Sequence, residues 1–217
     1  FINLAVCIAS CVFFEYILRR MMKRPQTISD MSAVVTGMLL GMNLPPTINP
    51  LYGVIGSFVA IGIAKQLFGG IGQNFANPAI VGRIVLMLSF TASMSTWCKP
   101  FYYLNGADVV TGATPLVSKD ADYLSLLLGT TGGCIGETCA IALIAGGIYL
   151  IAARIITPHA PVAFIGTVFL LTLIAGDDPI YAVLSGGLII GAFFMATDYA
   201  TTPLTGKGKI IFGIGCG

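Results

Sequence analysis

Apolar runs that approach the length of a membrane span recur from one end of the chain to the other, with no soluble segment between them. A membrane helix needs roughly 17–25 mostly apolar residues, and an open strand cannot satisfy its backbone in lipid, so each run predicts a helix. We predict an all-α integral membrane protein, a multi-span helical bundle with interrupted helices, forming one transmembrane domain over residues 1–217. The runs are Phe1–Leu18, Ser32–Leu44, Leu51–Phe68, Ala79–Thr96, Leu124–Ala153, Val162–Ala175, Ile180–Ala196 and a last one from Ile210.

The composition supports a bilayer location. Of 217 residues, 56% are hydrophobic and 9% are charged, whereas charged residues make up roughly a quarter of a soluble domain. The net charge of +2 is too small to indicate nucleic acid binding. Because the chain begins at Phe1 without a methionine and stops within an apolar run, we expect a piece of a longer protein with further helices at both ends.

Two of the runs do not have the length of one span. Ser32–Leu44 is too short to cross fully at a rise of about 1.5 Å per residue. Leu124–Ala153 would extend roughly 45 Å, which is too long for one straight span. We therefore predict that it divides at the stretch GTTGGCIGE, with a short, re-entrant first part.

Lysine and arginine are distributed unequally between the two faces that alternating spans define. Two of them, Lys99 and Lys119, fall on one face and eight on the other. Basic residues accumulate on the cytoplasmic side, so we predict that the loop from Trp97 to Tyr123 is extracytoplasmic. The eight cytoplasmic residues are Arg19, Arg20, Lys23, Arg24, Lys65, Arg154, Lys207 and Lys209.

A glycine-rich pentamer occurs twice, each time before a stretch that breaks helices. GMLLG at Gly37–Gly41 precedes a break at Pro45–Thr47, and GLIIG at Gly187–Gly191 precedes one at Thr197–Pro203. In the orientation above, the two copies run in opposite directions, as in transporters built from inverted repeats. Such pentamers also recur by chance in membrane helices, so both interpretations stay open.

The longest polar interruption contains DVVTGATPL, which carries no acid–base pair and no cluster of metal ligands. In a structural interpretation, Thr111 or Thr114 caps or turns the chain, and Gly112 supplies an unusual backbone angle. In a chemical interpretation, Gly112 and Ala113 leave the Thr114 hydroxyl unshielded for an enzyme that grips a short strand. An alcohol without an adjacent general base is a poor nucleophile, so modification of Thr114 requires an external catalyst.

The same stretch is similar to the D-x-x-[ST]-G-A-T acceptor of flavin transferases, which split FAD and leave FMN joined through its phosphate to the last threonine. Asp108, Thr111, Gly112, Ala113 and Thr114 fill every fixed position of this pattern. The resemblance implies that Thr114 carries covalent FMN and that the other four residues are recognised by the transferase.

Over nearly its whole length the chain resembles the RnfD/NqrB family of membrane redox subunits. SDMSAVVTG and KQLFGGIGQN are more similar to the RnfD branch than to the NqrB branch, which belongs to the sodium-pumping quinone reductase. Further matching stretches stand in family order: GATPL, GCIGE and GGLIIGAFFMATDYATTPLTGKG.

This resemblance implies a subunit, not catalytic alone, of a ferredoxin:NAD⁺ oxidoreductase complex that relays electrons and is coupled to Na⁺ or H⁺ transport. The expected partners are the A, B, C, E and G subunits of the Rnf complex, a flavin transferase and membrane lipid, in a bacterial or archaeal cell membrane. The alternatives are an NqrB-like subunit and a solute channel or transporter without a redox role.

The stretch FGGIGQNFANPAIVGR has two interpretations. In the first, Asn77 caps a helix that begins at Pro78. In the second, which the family resemblance implies, Asn74 and Asn77 contact a second flavin, a riboflavin bound without a covalent bond. An amide side chain can pair with the donor and acceptor edge of a flavin ring.

Other polar residues give weaker signals. Arg83 and Glu137 are ionisable groups in apolar segments and indicate either an internal ion pair or an ion pathway. Asp198 lies at the second helix break, where it either caps a turn or helps a cation to cross, and we interpret His159 as an ordinary loop histidine. We predict no catalytic residue and no metal site, and we interpret the cysteines as small apolar side chains.

Overall fold

The chain is mostly helical in a computed structural model, which describes residues 1–98, 100, 121–217 and the backbone of 111–112. The described residues form two compact units, Phe1–Thr96 and Trp97–Gly217.

The first unit is built around α1, which packs against α2, α3 and a π-helical segment, π1. A small apolar core lies between them and contains Cys11, Ala33 and Ile61. π1 continues α3 without a break, so the predicted helix Leu51–Phe68 is one helical segment with a π-helical second half. The elements are α1 (Ile2–Met21), a 3₁₀ turn (Ile28–Asp30), α2 (Ser32–Met42), α3 (Pro50–Phe58), π1 (Val59–Gln66), α4 (Pro78–Ser89) and α5 (Thr91–Met94).

The second unit has α8 at its centre, packed against α9 and α11. A short antiparallel ladder precedes the helices and pairs Trp97 with Gly112 and Cys98 with Thr111. The elements are β1 (Trp97–Cys98), β2 (Thr111–Gly112), α6 (Tyr123–Leu128), α7 (Ala140–Ala152), α8 (His159–Ala175), α9 (Pro179–Leu184), α10 (Leu188–Ile190), π2 (Gly191–Met195) and α11 (Gly206–Cys216).

Helix starts follow local sequence signals. Asn77 accepts a hydrogen bond from the Ala79 amide and Pro78 occupies the first turn of α4, so the predicted cap is confirmed. Asp178 caps α9 in the same way, again with a proline in the first turn.

The predicted division of Leu124–Ala153 is also confirmed, since α6 ends at Gly129 and α7 begins at Ala140. Gly129 has φ +84°, a left-handed conformation that ends α6 without strain. A second break was not predicted: Ile180–Ala196 divides at Ser185, where Gly186 adopts φ +70°. In the structure Ala79–Thr96 is likewise divided, at Phe90.

Within the part of the chain that the structure describes, α1 alone combines the length and the hydropathy of a membrane span. It has 20 residues and a mean hydropathy of 1.7. The multi-span bundle and the inverted repeats therefore stay predictions. The two glycine pentamers have different surroundings, because Gly37 and Gly41 lie against α1 whereas no heavy atom lies within 4 Å of a Cβ built at Gly191.

Replacing Gly37 with alanine tests the close approach of α1 and α2. A Cβ at this position would lie 2.7 Å from Ile8 Cα and 2.8 Å from the Cys7 carbonyl oxygen, so the two backbones must separate. We expect Gly37→Ala to lower stability by about 1–3 kcal/mol. The measurement is the temperature at which the purified protein loses its monodisperse size-exclusion peak in detergent.

Gly166→Ala is the matched control, because a Cβ there has no neighbour within 4 Å. This helical substitution is expected to leave the transition temperature unchanged or to raise it, in line with a gain of about 0.5–1 kcal/mol. Equal transition temperatures for Gly37→Ala and wild type would contradict the packing described.

Candidate functional site

One face of α1 is a stripe of polar and thiol side chains. All five buried residues of the helix belong to it, and they follow each other at intervals of four, a spacing that places them on one helix face. The apolar residues of α1 lie on its other faces, and Phe13 is 56% exposed. We call this set the α1 polar stripe; it contains Asn3, Cys7, Cys11, Glu15 and Arg19.

Glu15 and Lys65 form a buried ion pair at the centre of the first unit. Lys65 Nζ donates to Glu15 Oε2 at 2.7 Å, and the two side chains are 3% and 0% exposed for Lys65 and Glu15 respectively. The other carboxylate oxygen accepts from Thr27 Oγ1 at 2.8 Å and lies 3.8 Å from Arg19 Nε. Buried charges persist where each has a partner of opposite sign and hydrogen bonds, and both conditions hold here.

A hydroxyl connects this ion pair to the surface. Lys65 Nζ also donates to Ser32 Oγ at 2.6 Å, and Ser32 Oγ donates to Asp30 Oδ1 at 2.5 Å. Asp30 is exposed. Partial burial alone would raise the pKa of Asp30, but hydrogen bonds from the Ser32 hydroxyl and amide hold this pKa below its ordinary value.

The residue after Lys65 is a fully buried glutamine. Neither amide atom of the Gln66 side chain has a hydrogen-bond partner among the described residues. Its backbone carbonyl oxygen accepts from Arg24 Nη1 at 2.9 Å. The loop that follows approaches Arg19 closely, because a Cβ at Gly70 would lie 2.4 Å from Arg19 Nη2. Basic side chains and a buried amide therefore meet at this end of α1.

The two predicted amides lie in the loop between π1 and α4. Both are buried, with Asn74 9% and Asn77 8% exposed. Asn74 Nδ2 donates to the Ala76 carbonyl oxygen at 3.0 Å, and Asn77 Oδ1 caps α4. Further along α4, Arg83 Nη1 donates to Asn43 Oδ1 at 2.7 Å. These side chains are fixed in place by hydrogen bonds.

In the second unit the singled-out residues lie at helix ends and breaks. Glu137 Oε1 accepts from the Cys134 amide at 2.8 Å, in the break between α6 and α7. Asp198 accepts from the Ala200 amide at 3.5 Å, as a turn cap does. The Tyr123 hydroxyl donates to the Asp178 carboxylate, which lowers the pKa of Asp178. His159 is exposed at the start of α8.

The predicted flavin acceptor is described only at its start. Thr111 and Gly112 form β2. Asp108, Ala113 and Thr114 lie outside the described residues. Among the residues that the structure does describe, no group of three or more His, Cys, Asp and Glu side chains is placed to hold a metal ion.

Comparison with known proteins identifies the lineage. The family model described as "NQR2, RnfD, RnfE family" matches residues 1–217. The chain belongs to this family. The predicted RnfD/NqrB resemblance is thereby confirmed, and with it a place among membrane subunits.

Curated relatives cover nearly the whole chain, and three of them are D subunits of related complexes. The chain is 46% identical, over 98% of its length and 69% of the relative's, to that of the Na(+)-translocating ferredoxin:NAD(+) oxidoreductase complex of Acetobacterium woodii. It is 45% identical, over 97% of its length and 70% of the relative's, to that of the proton-translocating ferredoxin:NAD(+) oxidoreductase complex of Clostridium ljungdahlii. Identity to that of the ion-translocating oxidoreductase complex of Rhodobacter capsulatus is 39%, over 87% of the chain and 64% of the relative.

Glu15 was not predicted as a site residue, and Lys65 was used only to predict orientation. The spacing of Asn3, Cys7, Cys11 and Glu15 at four-residue intervals was a visible signal, because polar residues in that register indicate a buried polar helix face. The pairing of Glu15 with Lys65 had no local signal, since the two residues are far apart in the sequence.

Lys65→Met tests the ion pair. The substitution leaves the Glu15 carboxylate buried without its ammonium partner, and we expect a loss of about 3–5 kcal/mol in stability. The double variant Glu15→Gln/Lys65→Met removes both charges and should lose less than the sum of the two single variants. Thermal transitions of the three variants in detergent, read by size exclusion, give the comparison.

Lys207→Met serves as the control, since Lys207 is an exposed lysine on α11. Its effect should stay within about 0.5 kcal/mol. If the effects of the two single variants simply add, the pair is not coupled as the 2.7 Å distance indicates.

Proposed function

We propose that this chain is the D subunit of an ion-translocating ferredoxin:NAD⁺ oxidoreductase complex of the Rnf type. The observation that carries the proposal is the similarity to two subunits of such complexes at 46% and 45% identity over almost the entire chain. The partners that follow are the A, B, C, E and G subunits of the Rnf complex, with membrane lipid around the assembly.

In this proposal Thr114 carries FMN through a phosphoester. The complete D-x-x-T-G-A-T pattern supports it, because a channel without redox function has no use for a transferase acceptor. The described start of the acceptor is also compatible, since Thr111 and Gly112 have extended backbone paired with β1, the form in which an enzyme grips a strand. FMN supplies the redox chemistry, while the chain sets its position on the extracytoplasmic side.

Riboflavin is the second proposed cofactor, with Asn74 and Asn77 as its contacts. Both amides are buried beside the loop that approaches Arg19. The cap that Asn77 forms uses its oxygen, and a side-chain amide also has two donor hydrogens that can meet a flavin carbonyl. The cap and the flavin contact are therefore compatible.

Two alternative functions remain distinct from this proposal. An NqrB-like subunit would share the flavin but work with another electron donor, and the names of the Acetobacterium and Clostridium relatives favour the ferredoxin-linked complex. A solute channel would share broken helices without a flavin. Fold alone does not decide between them, and the acceptor sequence does.

Thr114→Val tests the covalent flavin. We expect the full-length protein, expressed with a flavin transferase, to give a fluorescent band under ultraviolet light after denaturing electrophoresis. The band should be absent in Thr114→Val, because valine has the shape of threonine without the hydroxyl that forms the phosphoester.

Thr111→Ser is the matched control, since serine also satisfies this position of the pattern and should retain the band. A wild-type protein without fluorescence, beside a transferase shown to be active on another acceptor, would reduce TGAT to a turn and favour the channel.

Asn77→Asp and Asn77→Ala separate the cap from the flavin contact. Aspartate keeps the oxygen that caps α4 and removes the donor hydrogens, whereas alanine removes both and should cost about 1 kcal/mol in stability. We expect non-covalent flavin, released by denaturation and quantified by fluorescence, to fall in both variants. Retention of wild-type flavin content in Asn77→Asp would leave Asn77 as a cap only.

A further inference from the structure

We propose that Asp30, Ser32, Lys65 and Glu15 form a proton relay that leads from the surface of the first unit to the α1 polar stripe. The relay rests on the proposed role in ion transport and adds to it a route for a specific ion. Relatives of almost equal identity are named for Na⁺ and for protons, so overall similarity does not assign the ion.

The links of the relay are short and continuous. Ser32 Oγ donates to Asp30 Oδ1 at 2.5 Å and accepts from Lys65 Nζ at 2.6 Å. Lys65 Nζ donates to Glu15 Oε2 at 2.7 Å. The first residue of the chain of bonds is exposed, and the last is completely buried. A structural ion pair between Glu15 and Lys65 alone would not require the hydroxyl and the surface carboxylate.

Every group in the relay exchanges protons in one balanced step. The Lys65 ammonium gives a proton to the Glu15 carboxylate, which leaves a neutral amine and a carboxylic acid. The amine takes the hydroxyl proton of Ser32 while Ser32 Oγ takes the proton of protonated Asp30. Asp30 has then lost one proton and Glu15 has gained one, whereas Ser32 and Lys65 end as they began.

The groups around Glu15 favour onward movement of that proton. Glu15 is approached by Arg19 from its own helix, by Thr27 from the following turn and by Lys65 from π1. Once Glu15 is protonated, the two buried cations have no buried carboxylate to balance them, which is costly in a low-dielectric site. The proton is therefore held only briefly.

The α1 polar stripe continues the route beyond Glu15. Cys11 and Cys7 lie one and two turns further along the same face. Opposite them, the fully buried Ser57 hydroxyl donates to the Gly53 and Cys7 carbonyl oxygens at 2.8 and 3.3 Å. Polar groups thus extend from the surface link well into the helix that has the length of a span.

Ser32→Ala interrupts the relay and leaves the Glu15–Lys65 ion pair intact. The experiment uses the whole complex in proteoliposomes, with a trapped pH indicator and a sodium ionophore, and follows proton uptake during ferredoxin-driven NAD⁺ reduction. We expect Ser32→Ala to slow proton uptake about tenfold, a modest loss for a positioned proton-transfer group. Ser32→Thr, which keeps a hydroxyl, should restore the rate.

Thr36→Val is the matched control, because it removes a hydroxyl one turn further along α2 that donates to the Ser32 carbonyl oxygen and takes no part in the relay. Its proton uptake should equal that of wild type. Wild-type uptake in Ser32→Ala would overturn the relay, as would a wild-type complex that takes up no protons with the ionophore present. Covalent flavin fluorescence in the same samples tests the proposed function separately, so the two failures are distinguishable.

Discussion

The buried ion pair between Glu15 and Lys65 determines how the first unit is arranged. A carboxylate that is 0% exposed requires a compensating cation, and Lys65 supplies it from π1 at 2.7 Å. The same ammonium bonds Ser32 at the start of α2. One pair of charges therefore fixes three elements, and it sets which face of α1 is buried. The apolar residues of α1 are consequently left for the surroundings, as expected for a helix in lipid.

The π-helical segment is what brings two consecutive polar residues to this place. A π-helix accommodates an extra residue relative to the α-helix and shifts the register of the side chains that follow. Lys65 and Gln66 are the last residues of π1, and both are buried despite being adjacent in sequence. A second π-helix, π2, precedes the turn that contains Asp198 in the other unit. Irregular helices of this kind are frequent at functional sites.

Much of the helical architecture follows from the sequence because its causes are local. Apolar runs predict helices, Asn77 before Pro78 predicts a cap, and the glycine-rich stretch after Leu128 predicts a break. The contacts of Lys65 do not follow, because π-helical register has no distinct hydrophobic period and the partner lies in another helix. The ladder of β1 and β2 was missed because its strands have two residues each, too few for a periodic signal.

The arrangement around Glu15 also bears on which ion this unit handles. A sodium ion needs oxygen ligands, and the two oxygens of Glu15 are already bonded to the Lys65 ammonium and the Thr27 hydroxyl, with Arg19 nearby. Sodium could bind there only by displacing an ammonium of equal charge and leaving it buried without a partner, at a cost of several kcal/mol. A proton needs no vacant position, because it moves along hydrogen bonds that already exist. Sodium, where such a complex transports it, would need other ligands, such as the carbonyl oxygens of interrupted helices.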